Sequence, residues 1–493
     1  MSPSVEPFDE AKYKALMDGL ECSEVLFSSA EKNKDFRVDS QFYTMATNRS
    51  IGLEYCPIGK YLISTQYGVS KDMNVDGYGY PIYRMNEIHY SLCDLTTEKF
   101  VELTSEEFNE VKLNSRDVLF NRTNSFELVG RTGIYYDSGV PQTFASYLVR
   151  LIPDNIHIYS EYLVAFLGTR FGVQEIRRRA RQSINQTNVN PEEVKAIEIP
   201  LLKREFQETI RKCYEKAHQL RKDSVKTYTE AEFILAQKMD IDKTITVGDT
   251  TAIKTLSASF VTYGRLDAEY YQPKYDALFS LLSKVKTKKL GGNHGIVKIT
   301  KSIEPGSDAY VDKGIPFVRV SDVSKFEITD PEIKLDSKSI YAREKLFPKK
   351  DTILFSKDGS VGIAYKVDED LKVITSGALL HLTVRDSSEV LPDYLTLVLN
   401  SPIVQLQAER DSSGAIIQHW KPSEIENVII PILDMAIQKE IATKVQESFA
   451  LRKKSKQLLE YAKQAVEMAI EQGEYTALEW LKDKSNEGYN YVS

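Results

Sequence analysis

GYGYPIYRMNEI, residues 77–88, returns as DKGIPFVRVSDV, residues 312–323, with a Gly, a Pro two residues later, an apolar pair and then Arg84 or Arg319. Further matches keep the same order. RVDSQFY at Arg37 pairs with RLDAEYY at Arg265, and DVLFNRTNSFELVG at Asp117 with DTILFSKDGSVG at Asp351. SEYLVAFLGTRFGVQ from Ser160 answers PDYLTLVLNSPIVQL from Pro392, and NPEEVKAIEIPLL from Asn190 answers KPSEIENVIIPIL from Lys421. A long charged helical segment follows each copy. A period of this length means two copies of a whole domain rather than a solenoid, and two similar but non-identical modules imply two similar but non-identical targets.

Between the punctuating Gly, Asn and Asp residues, β-prone runs such as YPIYRM and SRDVLF alternate with a helical stretch from Ser160 to Ala180. The expected fold class is α+β: two pseudo-repeated mixed α/β domains separated by two long antiparallel coiled-coil helices. From Glu205 to about Met239 there is neither Pro nor Gly, and Ile210, Cys213, Ala217 and Leu220 recur at spacings of three and four, loosening toward Val225 and Tyr228. Ile437, Ile441, Val445, Leu458, Ala462, Ala465 and Ala469 form a second stripe before Gly473 interrupts it. A helix of ~34 residues is ~50 Å long, enough to span between two globular modules. Single seams of this kind are buried on each other or on a partner. The reading along the chain is an N-terminal segment, part helical, at 1–49; a first module at 50–204; a helix at 205–240; a connector at 241–263; a second module at 264–434; a second helix at 435–472; and a C-terminal tail at 473–493, whose final residues, SNEGYNYVS, read as frayed.

At 493 residues, 42% hydrophobic and 27% charged, the composition is that of an ordinary globular protein. No apolar run reaches membrane-spanning length, and MSPSVEPFDEAKYK lacks the regions of a signal peptide, so a cytoplasmic location with no membrane partner is expected. Cys22, Cys56, Cys93 and Cys213 are too scattered for a zinc ribbon or a disulfide framework, and the six His form no ligand cluster. A net charge of −7 argues against uniform nucleic-acid binding, which needs Lys and Arg at phosphates. Local basic runs answer it, EIRRRARQS at 175–183 and KVKTKKLGG at 284–292.

Catalytic motifs are missing: no phosphate-binding Gly-x-x-x-x-Gly-Lys-Ser/Thr loop, no His-Glu-x-x-His, no Gly-x-Ser-x-Gly. Glu193 and Lys195, downstream of Asp154, resemble a nuclease carboxylate-lysine arrangement, but the second copy has lost the Lys and both sit at a helix start. Asn190-Pro191 lacks the Pro-aromatic pair with which a base methyltransferase holds a flipped base.

Polar loops between the β runs recur instead. In the first module they supply Thr65, Gln66, Tyr67 and Lys71; Asn121, Arg122 and Asn124; and Arg181, Gln182, Asn185, Gln186 and Asn188. In the second they supply Thr300 and Lys301; Ser356, Lys357 and Ser360; and Ser412, Gln418, His419 and Trp420, and the duplicated stretch adds Arg84 and Arg319. Asn and Gln bind adenine bidentately, Arg binds guanine, and Ser, Thr and Lys suit phosphates. Taken singly such residues fill loops in any protein; three matched loops in each of two repeats favour double-stranded DNA as the target.

YGYPIYRM with KGIPFVRV, DVLFNRTN with DTILFSKD, SGAIIQHWKPSEIENVIIPI with RQSINQTNVNPEEVKAIEIP, and the two helices together resemble the DNA-specificity subunit of type I restriction-modification systems. The second copy, from Asp267 to about Ile470, follows the family pattern closely. In the first, Asn121-Arg122-Thr123 replaces a small Ser-Lys turn and Phe126 to Leu128 are extra. The resemblance implies that each module reads one half of a bipartite site and that the chain itself is not an enzyme. It implies helices on which methyltransferase subunits dock, with S-adenosylmethionine held by that partner and no cofactor in this chain, and a motor-endonuclease subunit that completes the complex. Phe449, Leu451, Leu459 and Tyr461 lie off the apolar stripe of the second helix and are expected to form the docking surface. Three other readings compete: a diverged nuclease or methyltransferase acting through Glu193 and Lys195, a specificity component of another defence system partnered with a fused methyltransferase-nuclease, and a protein-binding scaffold.

Overall fold

The computed structural model describes residues 8–20, 24–31, 37–45, 50, 52–89, 91–184, 186–241, 251–329, 331–338, 344–414 and 418–487. Residues 242–250 of the connector, Cys22, Asn185 and the last six residues of the tail lie outside them. The chain divides into two compact units, Met1–Lys222 with Lys453–Ser493, and Asp223–Arg452. Each of the two long helices, Arg204–Met239 and Met435–Gln472, contributes to both.

In the first unit, a six-stranded sheet runs in the order Leu62–Tyr67, Leu148–Pro153, Val118–Asn121, Thr132–Ile134, Leu92–Cys93, Ile88–His89. Val118–Asn121 is buried along its whole length, which is why Val118, Leu119 and Phe120 read as a continuous apolar run rather than an alternating one. Helices Ser160–Gly168 and Arg170–Arg179 cover the sheet. Thr169 makes the sharp joint between them, accepting from Gly172 N at 3.1 Å. Gly172 is required there, since a Cβ would lie 2.2 Å from the Phe166 carbonyl oxygen.

The second unit repeats this plan with four strands, Val297–Lys301, Leu379–Val384, Ile353–Ser356 and Ala364–Lys366, and with helices Pro392–Asn400 and Pro402–Asp411 meeting at Ser401. Equivalence of the repeats extends to register. Asn121 faces Leu148 as Ser356 faces Leu379, and Tyr67 faces Val149 as Lys301 faces Leu380. The duplicated Gly-x-Pro stretch is in both units a strand paired in parallel with a two-residue strand, Ile82 and Tyr83 with Thr143 and Phe144, and Phe317 and Val318 with Ile374 and Thr375. Its Arg begins a single 3-10 turn in each, with the backbone N–H of Arg84 donating to Glu87 and that of Arg319 to Asp322.

The helices pair antiparallel within each unit. Ile210, Cys213 and Ala217 meet Leu459, Ala462, Ala465 and Ala469 in the first, and Tyr228, Ala231 and Leu235 meet Ile441 and Val445 in the second. Ser455 Oγ donates to the Ala217 carbonyl and Ser448 Oγ to that of Ser224, both at 2.7 Å, so a hydroxyl on one helix satisfies a carbonyl on the other inside an apolar seam. Burial pushes the Cys213 thiol up to about 11, leaving it an inert packing group.

Past Gly473, whose φ of +93° suits a residue without a Cβ, the first part of the tail forms the helix Glu474–Glu487, an element that the sequence reading did not name, with Ala477 and Leu481 buried in the first unit's core. Among the described residues no helix is long and apolar enough to cross a membrane.

Candidate nucleic-acid interface

Where the central strand of each repeat leaves its core, one basic residue is fixed by two backbone hydrogen bonds. Arg122 N donates to Tyr147 O at 3.1 Å and Arg122 O accepts from Val189 N at 2.9 Å; Lys357 N donates to Ala378 O at 2.9 Å and Lys357 O accepts from Trp420 N at 2.8 Å. Both are therefore turns of defined shape rather than free loops.

A hairpin lies against each turn. In the first unit, Arg181–Gln182 pairs with Thr187–Asn188, which pairs with Thr123–Asn124. Loops far apart in sequence thereby become one three-stranded sheet, closed by Ser183 N donating to Gln186 O at 2.8 Å and tipped by Ile184, which is 99% exposed. Arg181, Gln182 and Gln186 are exposed on it. The Arg122 guanidinium stands 5.1 Å from the Tyr67 ring centre and its Nε donates to Ser146 O at 3.0 Å, so the cation is oriented by a carbonyl and an aromatic face. In the second unit, Ser413 and His419 exchange backbone hydrogen bonds of 3.0 and 2.7 Å, and Gly359 N donates to Gln418 O at 2.9 Å. Gln418 and His419 are exposed, and Lys301 ends the neighbouring strand.

Several residues chosen from sequence are spent inside the fold. Gln66 accepts from the Arg150 guanidinium and donates to Glu110 O at 3.0 Å. Lys71 pairs with Glu107 at 2.7 Å, and Arg84 with Glu87 and with Glu98 at 3.0 Å. Thr65 is half-buried beside Gln66, and Asn124 accepts from Ser125 N through its own side chain at 2.8 Å. Asn121 is wholly buried. Its counterpart Ser356 is also buried, donating to Ser360 O at 2.6 Å and accepting from Ile363 N at 2.8 Å to shape the turn. Trp420, chosen as a DNA-contacting loop residue, is 1% exposed and packs on Phe355. Thr300 is exposed, Arg319 half-exposed, and Ser412 half-buried where its N–H closes the preceding helix on Ala408 O.

The basic runs are also partly consumed. Arg178 bonds Glu175 and Phe42 O, and Arg179 bonds Glu193 at 3.1 Å. Arg37, buried, donates to Arg178, Arg179 and Ala180 carbonyls and to Glu193 at 3.4 Å. Glu193 thus neutralises two arginines while Lys195 turns to Glu192 at 2.8 Å, which separates the pair on which the nuclease reading depends. Lys286 and Lys288 share Glu389.

On the second long helix, Leu459 is buried rather than exposed, because the opposite helix and the terminal helix together enclose that face. Tyr461 packs edge-on against Trp480, and Phe449 against Phe326 and Tyr365. Leu451 remains half-exposed. Two residues that sequence reading passed over, Thr123 and Asp358, stand directly opposite Asn188 and His419. Only the strand register reveals them.

A family model described as Type I restriction modification DNA specificity domain matches residues 276–461, on the second copy. The putative type I restriction enzyme MjaX specificity subunit of Methanocaldococcus jannaschii is 30% identical over 148 residues, 29% of this chain and 34% of that protein. The EcoBI specificity subunit of Escherichia coli is 26% identical over 151 residues, 30% of this chain and 31% of that one. The matched stretch spans about a third of the length of these curated relatives. Among solved structures, the S subunit of a type I restriction-modification system from M. genitalium aligns with a TM-score of 0.37 at 12% identity, covering 85% of this chain and 96% of that one. The HsdS subunit from Thermoanaerobacter tengcongensis aligns with a TM-score of 0.29 at 14% identity, covering 86% and 97%.

Proposed function

With residues 276–461 carrying a type I restriction modification DNA specificity domain, we propose that the chain is the specificity subunit of a type I restriction-modification complex and that each repeat reads one half of a bipartite duplex target. The observation that supports this reading most is the duplicated turn and hairpin. Its backbone frame is the same in both repeats, with Arg122 and Lys357 bonded alike, while the exposed side chains differ. A constant frame with variable polar tips is what recognition of two different half-sites requires, because phosphate contacts fix position and base-edge contacts carry sequence. The long helices dock methyltransferase subunits, which bring S-adenosylmethionine, and a motor-endonuclease subunit joins the full complex; the chain contributes recognition rather than chemistry.

Exchange of residues 50–204 for those of a homologous chain tests it. The methylated motif of cells expressing the hybrid with its methyltransferase should change in one half and keep the other. A motif altered in both halves, or in neither, overturns the two-reader proposal.

A further inference from the structure

Two cross-strand side-chain pairs occupy the same register position in the two repeats. Thr123 follows Arg122 and stands opposite Asn188, whose Nδ2 donates to Thr123 Oγ1 at 2.9 Å. Asp358 follows Lys357 and stands opposite His419, whose Nδ1 lies 2.9 Å from Asp358 Oδ1. In each repeat the next residue, Val189 or Trp420, carries the N–H that locks the turn. The geometry is conserved between the copies while the chemistry is exchanged, a neutral hydroxyl–amide pair for a carboxylate–imidazole pair. A pair that served only to hold the hairpin would have no need to differ.

We propose that Thr123 and Asp358 are positioning residues that decide which polar atoms Asn188 and His419 present to a base edge. This inference rests on the DNA-reading proposal and makes it residue-specific. Asn188, with one amide N–H committed to Thr123, keeps its carbonyl oxygen and its second N–H, the acceptor and donor that suit adenine N6 and N7. His419 has Nδ1 committed to a carboxylate, an acceptor, so Nδ1 carries the proton and the neutral ring offers Nε2 as an acceptor. An acceptor in the major groove suits the amino group of cytosine or adenine. The carboxylate is itself held from the other side by Lys357 Nζ, so its negative charge is compensated before DNA arrives. Side-chain exposure is 60% for His419 against 25% for Asp358 and 19% for Lys357, which places the imidazole outermost of the three.

The test uses the full chain assembled with its methyltransferase subunit and selection from a library of random duplexes. His419→Ala and Asp358→Ala should each relax preference, by about 5- to 150-fold, at the same base pair in one half-site, as loss of one good base contact does. The double variant should relax it no further. Asp358→Asn, which still accepts from Nδ1–H, should retain most of the preference, and Thr123→Val should relax a position in the other half-site. A uniform loss of affinity for all duplexes in Asp358→Ala, or relaxation at a different base pair from that of His419→Ala, would mean that the pair only braces the hairpin. A wild-type complex that selects no sequence overturns the DNA-reading proposal as a whole, whereas a bipartite selection unmoved by these variants overturns this inference alone.

Discussion

Arg122 and Lys357, 235 positions apart in the sequence, each donate a backbone N–H to the carbonyl at the foot of the neighbouring strand and each accept from the residue that closes the opposing hairpin. Their side chains take different partners. Arg122 lies over Tyr67 with one N–H on Ser146, while Lys357 turns back onto Asp358. The same backbone position therefore carries an oriented cation in one repeat and an ion pair in the other, and the two should make unequal contributions to DNA affinity.

Arg122→Ala is expected to weaken binding of the assembled complex to every duplex, cognate or not, and to lower the slope of log affinity against log salt by about one. Lys357→Ala should lower it by less, since Asp358 already compensates that charge. Anisotropy titrations across a salt series decide this. Equal slope changes for the two variants would contradict the assignment.

His381 supplies a pH signature in the second unit. It is buried opposite Thr300, with Nε2 2.8 Å from Thr375 Oγ1, and burial lowers it to about 4. A group depressed on folding binds its proton more readily in the unfolded chain, so stability is lost as pH falls from the unfolded value of about 6.5 toward 4, by up to about 3 kcal/mol. Above about 6.5 the contribution is intact. Urea midpoints measured through that window should fall less steeply in His381→Gln than in the parent, and identical slopes would show that another group carries the dependence.

The helix pair is close-packed through small residues. Ala217, Ala462 and Ala465 are all fully buried. Ala462→Leu should force the helices apart and cost about 1–3 kcal/mol, as overpacking does. Urea denaturation followed by circular dichroism measures it, and a neutral result would mean that the seam has room that the structure denies.

Much of this was legible in sequence because it rests on periodicity and duplication. The stripe through Ile210, Cys213, Ala217 and Leu220 is buried as its spacing demands, and the Arg37 and Arg265 motifs form the same local bridge, each to the Asp two residues on, with Tyr43 and Tyr271 donating to their carbonyls. What escaped depends on register and on partners brought from afar. Strands of two residues, such as Thr123–Asn124 and Thr187–Asn188, have no period to detect. EIRRRARQS reads as a basic patch until Phe42, Glu193 and the tip of Arg37 fold against it. Trp420 reads as the end of a polar loop, and only the position of Phe355 shows it to be core.

Of the four residues expected to dock the proposed methyltransferase partner, Phe449, Leu459 and Tyr461 are engaged within the fold. Tyr461 sits edge-on to Trp480 at 5.7 Å and Leu459 is buried, so Tyr461→Asp places a charge against the terminal helix and should lower the unfolding midpoint and shift Trp480 emission to the red. Phe449→Asp should act likewise on Phe326 and Tyr365. Loss of methyltransferase capture in either variant then reports damage to the fold rather than to a docking face. Leu451 is the informative position of the four, being half-exposed on the same helix. Leu451→Asp should leave stability within about 0.5 kcal/mol of the parent, as surface changes do, and reduce capture of the methyltransferase subunit in pull-downs. Undiminished capture by a folded Leu451→Asp chain would place the docking surface on another face.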